Sequence, residues 1–310
     1  MVGAGHSGLA VAAELIARGL RPQTDFAVVD AASDGQRSWS HRWHSLRLRT
    51  TARDSALPGL PFPGDQRRHP RADEMAAYLH EYADHLTVRP IWSVTVTAVR
   101  RPGVGTTLEL ETTVGAIQTR NVVAATGGYV VPRRPDWAFD LQVPGVVLHS
   151  HEYAYPRQVP PGRVVVVGGG DAAVEVATEL AASHEVVVST RNTGMQRALL
   201  GFRRVLGESG QTLPEGSITV ASGVVSASGR TLLLEDGTQL TADSVILATG
   251  YFPGDCWLPD TVTPRPRNAE TDMPGLFVVG IPGYGDRHQG RITTVPRIAR
   301  RVARRIVERP

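Results

Sequence analysis

Four β-branched residues in succession, Val164 to Val167, are followed by three glycines and then by an Ala/Val/Leu pattern that runs to Leu180. This order predicts a buried parallel strand, a tight turn and a helix packed back on the sheet. A second glycine-rich turn, Gly3-Ala4-Gly5-His6-Ser7-Gly8, opens the chain and leads into another helical run, Leu9 to Arg18. Only Met1 and Val2 precede it, so the true start is expected upstream, with a longer apolar strand. Phe26 to Asp30 reads as a strand that ends in an acid. Arg37 to Pro63 is rich in proline and aromatic residues and predicts an ordered loop. Ala72 to Leu86 places Met75, Tyr78, Leu79 and Tyr82 on one face of an amphipathic helix. Alternation over Trp92–Arg101, Thr107–Thr113 and Ala116–Ala124 predicts an antiparallel meander laid on the main sheet. Further strands are expected at Glu185–Thr190 and Met273–Gly280, a hairpin-like stretch at Ile218–Leu240, and a last helix from Thr293 to about Glu308 with an arginine-rich, solvated face.

The two glycine turns are where chemistry enters. Gly168, Gly170 and Ala173 stand at the spacing G-x-G-x-x-A, and Gly3, Gly5 and Gly8 at G-x-G-x-x-G. Such a turn lets backbone approach a pyrophosphate at the positive end of a helix. Two of them, more than 160 residues apart, imply two dinucleotide cofactors. Asp30 lies 22 residues beyond Gly8, where a carboxylate can accept from an adenosine ribose. Arg191 lies 21 residues beyond Gly170, where a guanidinium can grip a 2′-phosphate. A buried strand ending in Ala-Thr-Gly occurs twice, carrying Thr126 and Gly127 the first time and Thr249 and Gly250 the second. The repeat suggests two crossings between a host domain and one inserted into it. The expected division is 1–155, an insert over 156–242, and a return to the host over 243–310. The fold class is therefore α/β, with two Rossmann-like dinucleotide-binding domains, one inserted into the other.

Composition narrows the function without naming it. The chain has 310 residues, long enough for two domains, and its net charge is only +3. No organised basic surface follows from that, so nucleic acid is not an expected partner. The single cysteine, Cys256, can form neither an intramolecular disulfide nor a redox dithiol, which fits a reducing cytoplasm. No apolar run reaches the ~20 residues of a membrane span, and no signal peptide is expected.

These residues resemble the flavin-containing monooxygenases, in particular their shorter bacterial and plant members. The resemblance runs over nearly the whole chain: the first glycine turn, Trp39 to Leu48 with Leu57-Pro58, both Ala-Thr-Gly strands, the second glycine turn and Pro274 to Gly280. The family fingerprint F-x-G-x-x-x-H-x-x-x-[YF] stands as Val143 to Tyr153, matched at Gly145, His149 and Tyr153. The resemblance implies FAD in the host domain, held by Gly3, Gly5, Gly8, Asp30, Trp39 and Arg42. It implies NADPH in the insert, held by Gly168, Gly170, Ala173 and Arg191. Thr126, Gly127, Thr249, Gly250 and Gly280, at strand ends, are further cofactor-binding candidates. His149 and Tyr153 are positioning residues in this reading, with no side chain assigned a catalytic proton transfer. NADPH would reduce the flavin, and a flavin hydroperoxide formed with O₂ would pass one oxygen atom to a small nitrogen, sulfur or carbonyl substrate. The cofactor carries that chemistry while the protein positions it. Two departures stand out: Asp171 brings a negative charge beside the second turn, and His44 replaces an acid common in that loop. The alternatives are an NADPH-dependent flavin reductase or oxidase that oxygenates nothing, and a non-catalytic FAD-binding protein.

Overall fold

A computed structural model describes residues 1–33, 38–103, 105–191, 218–263, 269–284 and 291–309. Arg37, at the head of the expected ordered loop, lies outside the described residues. The chain forms two units. The first comprises Met1–Ser40, Arg47–Val131 and Phe252–Pro310; the second comprises His41–Leu46 and Pro132–Tyr251. The second unit is wider than the expected insert, because the strands Val147–His149 and Ser244–Leu247 on either side of it pair within its sheet.

The parallel core of the first unit is short. Leu276–Val278 pairs in parallel with Val122–Ala124, Val2 bridges Ala124 on one side and Val29 on the other, and Val29 bridges Ile91. Met1–Gly3 thus fills the central position, with Val2 N–H donating to Val123 O at 2.9 Å and Gly3 N–H to Val29 O at 2.8 Å. The expected strand at Phe26–Asp30 is reduced to isolated bridges, Phe26 with Pro22 and Val29 with Val2 and Ile91. Val122–Ala124 belongs to this parallel core and not to the meander, whose three antiparallel strands are Val96–Arg100, Leu108–Thr112 and Gly115–Thr119. The meander packs on the core through Val96, Val99, Leu108 and Leu110, which share a buried cluster with Val2, Val122 and Leu276.

Two helices flank the glycine turn. His6–Ile16 is buried from Ser7 to Leu15 and packs on the last helix, Val295–Val307. Between them Glu14 is 7% exposed, and its carboxylate takes Arg18 at 2.6 Å and Arg300 at 3.5 Å. Burial of a charge is costly unless it is paired; Arg18 and Arg300 balance Glu14, although the Arg300 side chain is itself 71% exposed and faces solvent like Arg304 and Arg305. The helix Ala72–His85 turns its aromatic stripe on the preceding loop. Tyr78 O–H donates to Leu60 O at 2.7 Å and accepts from Leu57 N–H at 2.8 Å, Tyr82 O–H donates to Pro58 O at 2.5 Å, and Phe62 stacks on Tyr78. Those bonds hold a proline-rich segment in one conformation. A short helix, Ala52–Ser55, interrupts it.

The second unit is built on a five-stranded parallel sheet in the order Val147–His149, Ser244–Leu247, Arg163–Val167, Glu185–Ser189, Ile218–Ala221. Strand residues alternate faces, and here both faces are covered. Val164 and Val166 pack under the helix Asp171–Leu180 with Ala173, Val176, Ala177 and Trp43. Val165 and Val167 face Leu232, Ala242 and Leu247 on the other side. That is why this strand reads as an unbroken apolar run. The expected hairpin at Ile218–Leu240 is divided: Ile218–Ala221 joins the parallel sheet, and Val224–Ser228, Thr231–Leu234 and Gln239–Thr241 form a separate antiparallel layer.

Phe277 is fully buried at the edge of the first unit's core. Its replacement by alanine should cost about 3–5 kcal/mol, read as a lower denaturant midpoint in chemical unfolding.

Candidate functional site

In the first unit the turn 3–8 is fixed by close backbone packing. Gly3 has φ +105, and a Cβ there would drive into the carbonyl oxygen of Ala125; a Cβ on Gly8 would drive into the carbonyl oxygen of Gly3. Gly5, the residue that begins the helix, has nothing within 4 Å of the direction a Cβ would take. The outer glycines are therefore needed by the protein, and the middle one leaves room for a ligand's close approach. Asp30 braces the turn: Oδ2 accepts from Ala4 N–H at 2.6 Å and Oδ1 from Ala32 N–H at 2.9 Å. Thr126 O–H donates to Gly254 O, Gly127 (φ +85) accepts from Gly254 N–H, and a Cβ on Gly280 (φ +77) would meet Ser7 Oγ. Gly3, Gly5, Gly8, Asp30, Thr126 and Gly280 are thus gathered at one end of the core. Trp39 is half-buried in this unit.

The second unit repeats the device. Gly168 has φ +156, and a Cβ there would drive into Ala248 O; Gly170 again faces open space, and Ala173 is fully buried against the sheet. Ala248 precedes Thr249 and Gly250 as Ala125 precedes Thr126 and Gly127. The repeated Ala-Thr-Gly therefore marks the same contact in both units: its alanine carbonyl abuts the first glycine of the turn. Gly168 N–H donates to Ser189 O at 2.9 Å, which places Arg191 two residues past the turn's own anchor. Asp171 stands one position inside the helix, Gly170 being the cap, so its carboxylate lies in the first turn at the positive helix end.

The fingerprint residues are framework. A Cβ on Gly145 would strike Ser244 Oγ. His149 is fully buried; its Nε2 lies 3.0 Å from Gly250 O and its Nδ1 accepts from His151 N–H at 3.1 Å. That pattern sets the Nε2–H tautomer, and burial pushes the imidazole pKa down to about 4. A neutral histidine so held orients Gly250 and has no proton to offer at neutral pH. Glu152 accepts from His149 N–H at 2.7 Å and pairs with Arg134. Tyr153 O–H donates to Glu179 at 2.8 Å, and burial followed by that carboxylate pushes its pKa up. Arg42 groups with the second unit, where it donates to Tyr251 O–H at 3.1 Å and lies over its ring. Tyr251 in turn meets His149 edge-on at 4.9 Å. Tyr251 and Glu152 carried no spacing signal; only their neighbours in space give them a role.

The family model for pyridine nucleotide-disulphide oxidoreductases matches residues 1–280. The chain belongs to this family. An uncharacterized oxidoreductase, CzcO, of Bacillus velezensis is 24% identical over 91% of each chain. The indole-3-pyruvate monooxygenase YUCCA1 of Oryza sativa subsp. japonica is 26% identical over 92% of this chain and 86% of its own. A flavin-containing monooxygenase from Stenotrophomonas maltophilia has a similar structure, with TM-score 0.80 at 25% identity over 99% of this chain and 96% of its own. This pyridine nucleotide-disulphide oxidoreductase has one cysteine, Cys256, which is exposed; a dithiol cannot be its redox group. Its cofactors are a flavin and a pyridine nucleotide, and two turns whose middle glycines stand open fit them.

With the flavin at the first turn and the pyridine nucleotide at the second, Gly8→Ala should yield protein without bound flavin, and Gly168→Ala should keep the flavin and weaken pyridine nucleotide binding at least tenfold; each adds a methyl against backbone, at about 1–3 kcal/mol. Flavin absorbance and equilibrium titration read the two effects. His6, at the head of the first helix, also has its pKa lowered by burial to about 4. Both His6 and His149 bind fewer protons folded than unfolded between pH 6.5 and 4, so the flavin-free protein should lose stability as pH falls through that window. Thermal midpoints against pH should show this slope, and His149→Gln should flatten it.

Proposed function

We propose that this protein is a flavin-dependent monooxygenase in which NADPH reduces FAD and one oxygen atom of O₂ is passed to a small nitrogen or sulfur nucleophile or to a carbonyl compound. The observation that carries the reading is the pair of glycine turns, each with an open middle glycine and each braced by its own Ala-Thr-Gly strand end. Similarity to flavin monooxygenases over nearly the whole chain supports oxygenation as the outcome. In this reading Gly3, Gly5 and Gly8 hold the FAD pyrophosphate, Asp30 the adenosine ribose, and Trp39 and Arg42 the flavin side. Thr126, Gly127 and Gly280 line the same cofactor. Gly168, Gly170 and Ala173 hold the NADPH pyrophosphate, Arg191 its 2′-phosphate, with Thr249 and Gly250 beside it.

FAD supplies the two-electron and oxygen chemistry when bound. The chain's own groups bind, orient and exclude water. NADPH, a proton, O₂ and substrate give NADP⁺, water and the oxygenated product. A small-molecule substrate and O₂ are the partners in this reading, and a reducing compartment such as the cytoplasm suits a chain with a single cysteine. Among the described residues no helix is long and apolar enough to cross a membrane.

The test mixes purified, FAD-loaded protein with NADPH without oxygen, then admits ¹⁸O₂ with an amine, a sulfide or a ketone. The expected result is bleaching of the flavin by NADPH, then one ¹⁸O atom in a product. If peroxide release matches NADPH consumption with every substrate, the protein is an oxidase instead. If the protein stays colourless with added FAD, both enzymatic readings fall.

A further inference from the structure

The strands Glu185–Ser189 and Ile218–Ala221 run parallel and end beside the second glycine turn. Beyond their ends the pairing continues for one step: Thr190 N–H donates to Ala221 O at 3.0 Å, and Ser189 O–H donates to Ser222 O at 2.7 Å. Arg191 and Gly223 follow and lie against each other. A Cβ placed on Gly223 would sit 2.5 Å from Arg191 Cγ and 3.0 Å from Glu235 Oε1. The carboxylate of Glu235 and the stem of Arg191 therefore share the space above one glycine, at most 5.5 Å apart by those two distances. Glu235 reaches this point from the antiparallel layer and is anchored by its main chain, since its N–H donates to Gly223 O at 2.8 Å. The turn behind it is closed by Leu234 N–H to Thr238 O and Thr238 N–H to Asp236 Oδ1.

A guanidinium at the strand end favours a ribose that carries a 2′-phosphate, whereas a carboxylate there accepts from a free 2′-hydroxyl and repels the phosphate. Both groups occupy this strand end. We propose that Glu235 is a specificity-determining residue: it opposes Arg191 at the 2′ position, so that the second unit takes NADH as well as NADPH. The proposal rests on the assignment of the second turn to a nicotinamide cofactor. It explains the glycine at 223, because any side chain there would push Arg191 and Glu235 out of the position they share.

Glu235 is exposed, and its fixed contact is through the backbone, so Glu235→Gln should keep the fold. The test is equilibrium titration of the FAD-loaded protein, wild type and E235Q, with NADP⁺ and with NAD⁺ at two salt concentrations. Wild type should bind both within about tenfold. E235Q should bind NADP⁺ about three- to tenfold more tightly and NAD⁺ less tightly, with the NADP⁺ gain shrinking at high salt. Arg191→Met should lose NADP⁺ affinity and keep NAD⁺. If both nucleotides bind and E235Q leaves their affinity ratio within twofold of wild type, the role of Glu235 is wrong and the proposed function stands. If neither nucleotide binds the wild type, the nicotinamide assignment fails with it.

Discussion

The structure depends on one close approach made twice: the backbone of a glycine pressed against the carbonyl oxygen of an alanine at the end of the neighbouring strand. Gly3 meets Ala125 in the first unit, and Gly168 meets Ala248 in the second. The contact fixes where the strand must end, where the helix must begin and how far the next glycine stands open. It cannot be made with any larger residue on the turn. Once it is in place the helix dipole and the free backbone N–H groups face one spot, and an anion is the natural occupant.

Each unit supports this contact differently. In the second, the valine strand is buried on both faces and carries its neighbours on either side, so the turn rests on a complete sheet. The first has short parallel pairings among its described residues, and is held further by the bonds of Tyr78 and Tyr82 to the preceding loop and by the buried Glu14 carboxylate with Arg18 and the exposed Arg300. The Glu14–Arg18 pair tolerates little change, because removing Arg18 leaves the buried carboxylate without its near partner.

Much of this was written in local order. The glycine spacings, the four valines and the stripe of Met75, Tyr78, Leu79 and Tyr82 each depend on residues a few positions apart, and period and steric limits make them legible. The Ala-Thr-Gly repeat was visible too, but its reason was not, because the partner glycine lies more than 70 residues away in each case. The same holds for Ile218–Ala221, whose alternation suits a hairpin as well as a parallel edge. Tyr251 and Glu235 act through neighbours distant in sequence, Glu152 through Arg134 and the backbone of His149 three positions before it, and Arg42 was legible as a ligand-binding type without any sign that Tyr251 would engage it.

The position just after the open glycine differs between the two turns. It is His6, uncharged at neutral pH, in the first and Asp171, an acid, in the second. With geometry otherwise alike, a pyrophosphate meets no opposing charge from the histidine and a like charge from the aspartate. On the proposed function, that difference suits a nucleotide that stays through many turnovers at the first turn and one that arrives and departs at the second.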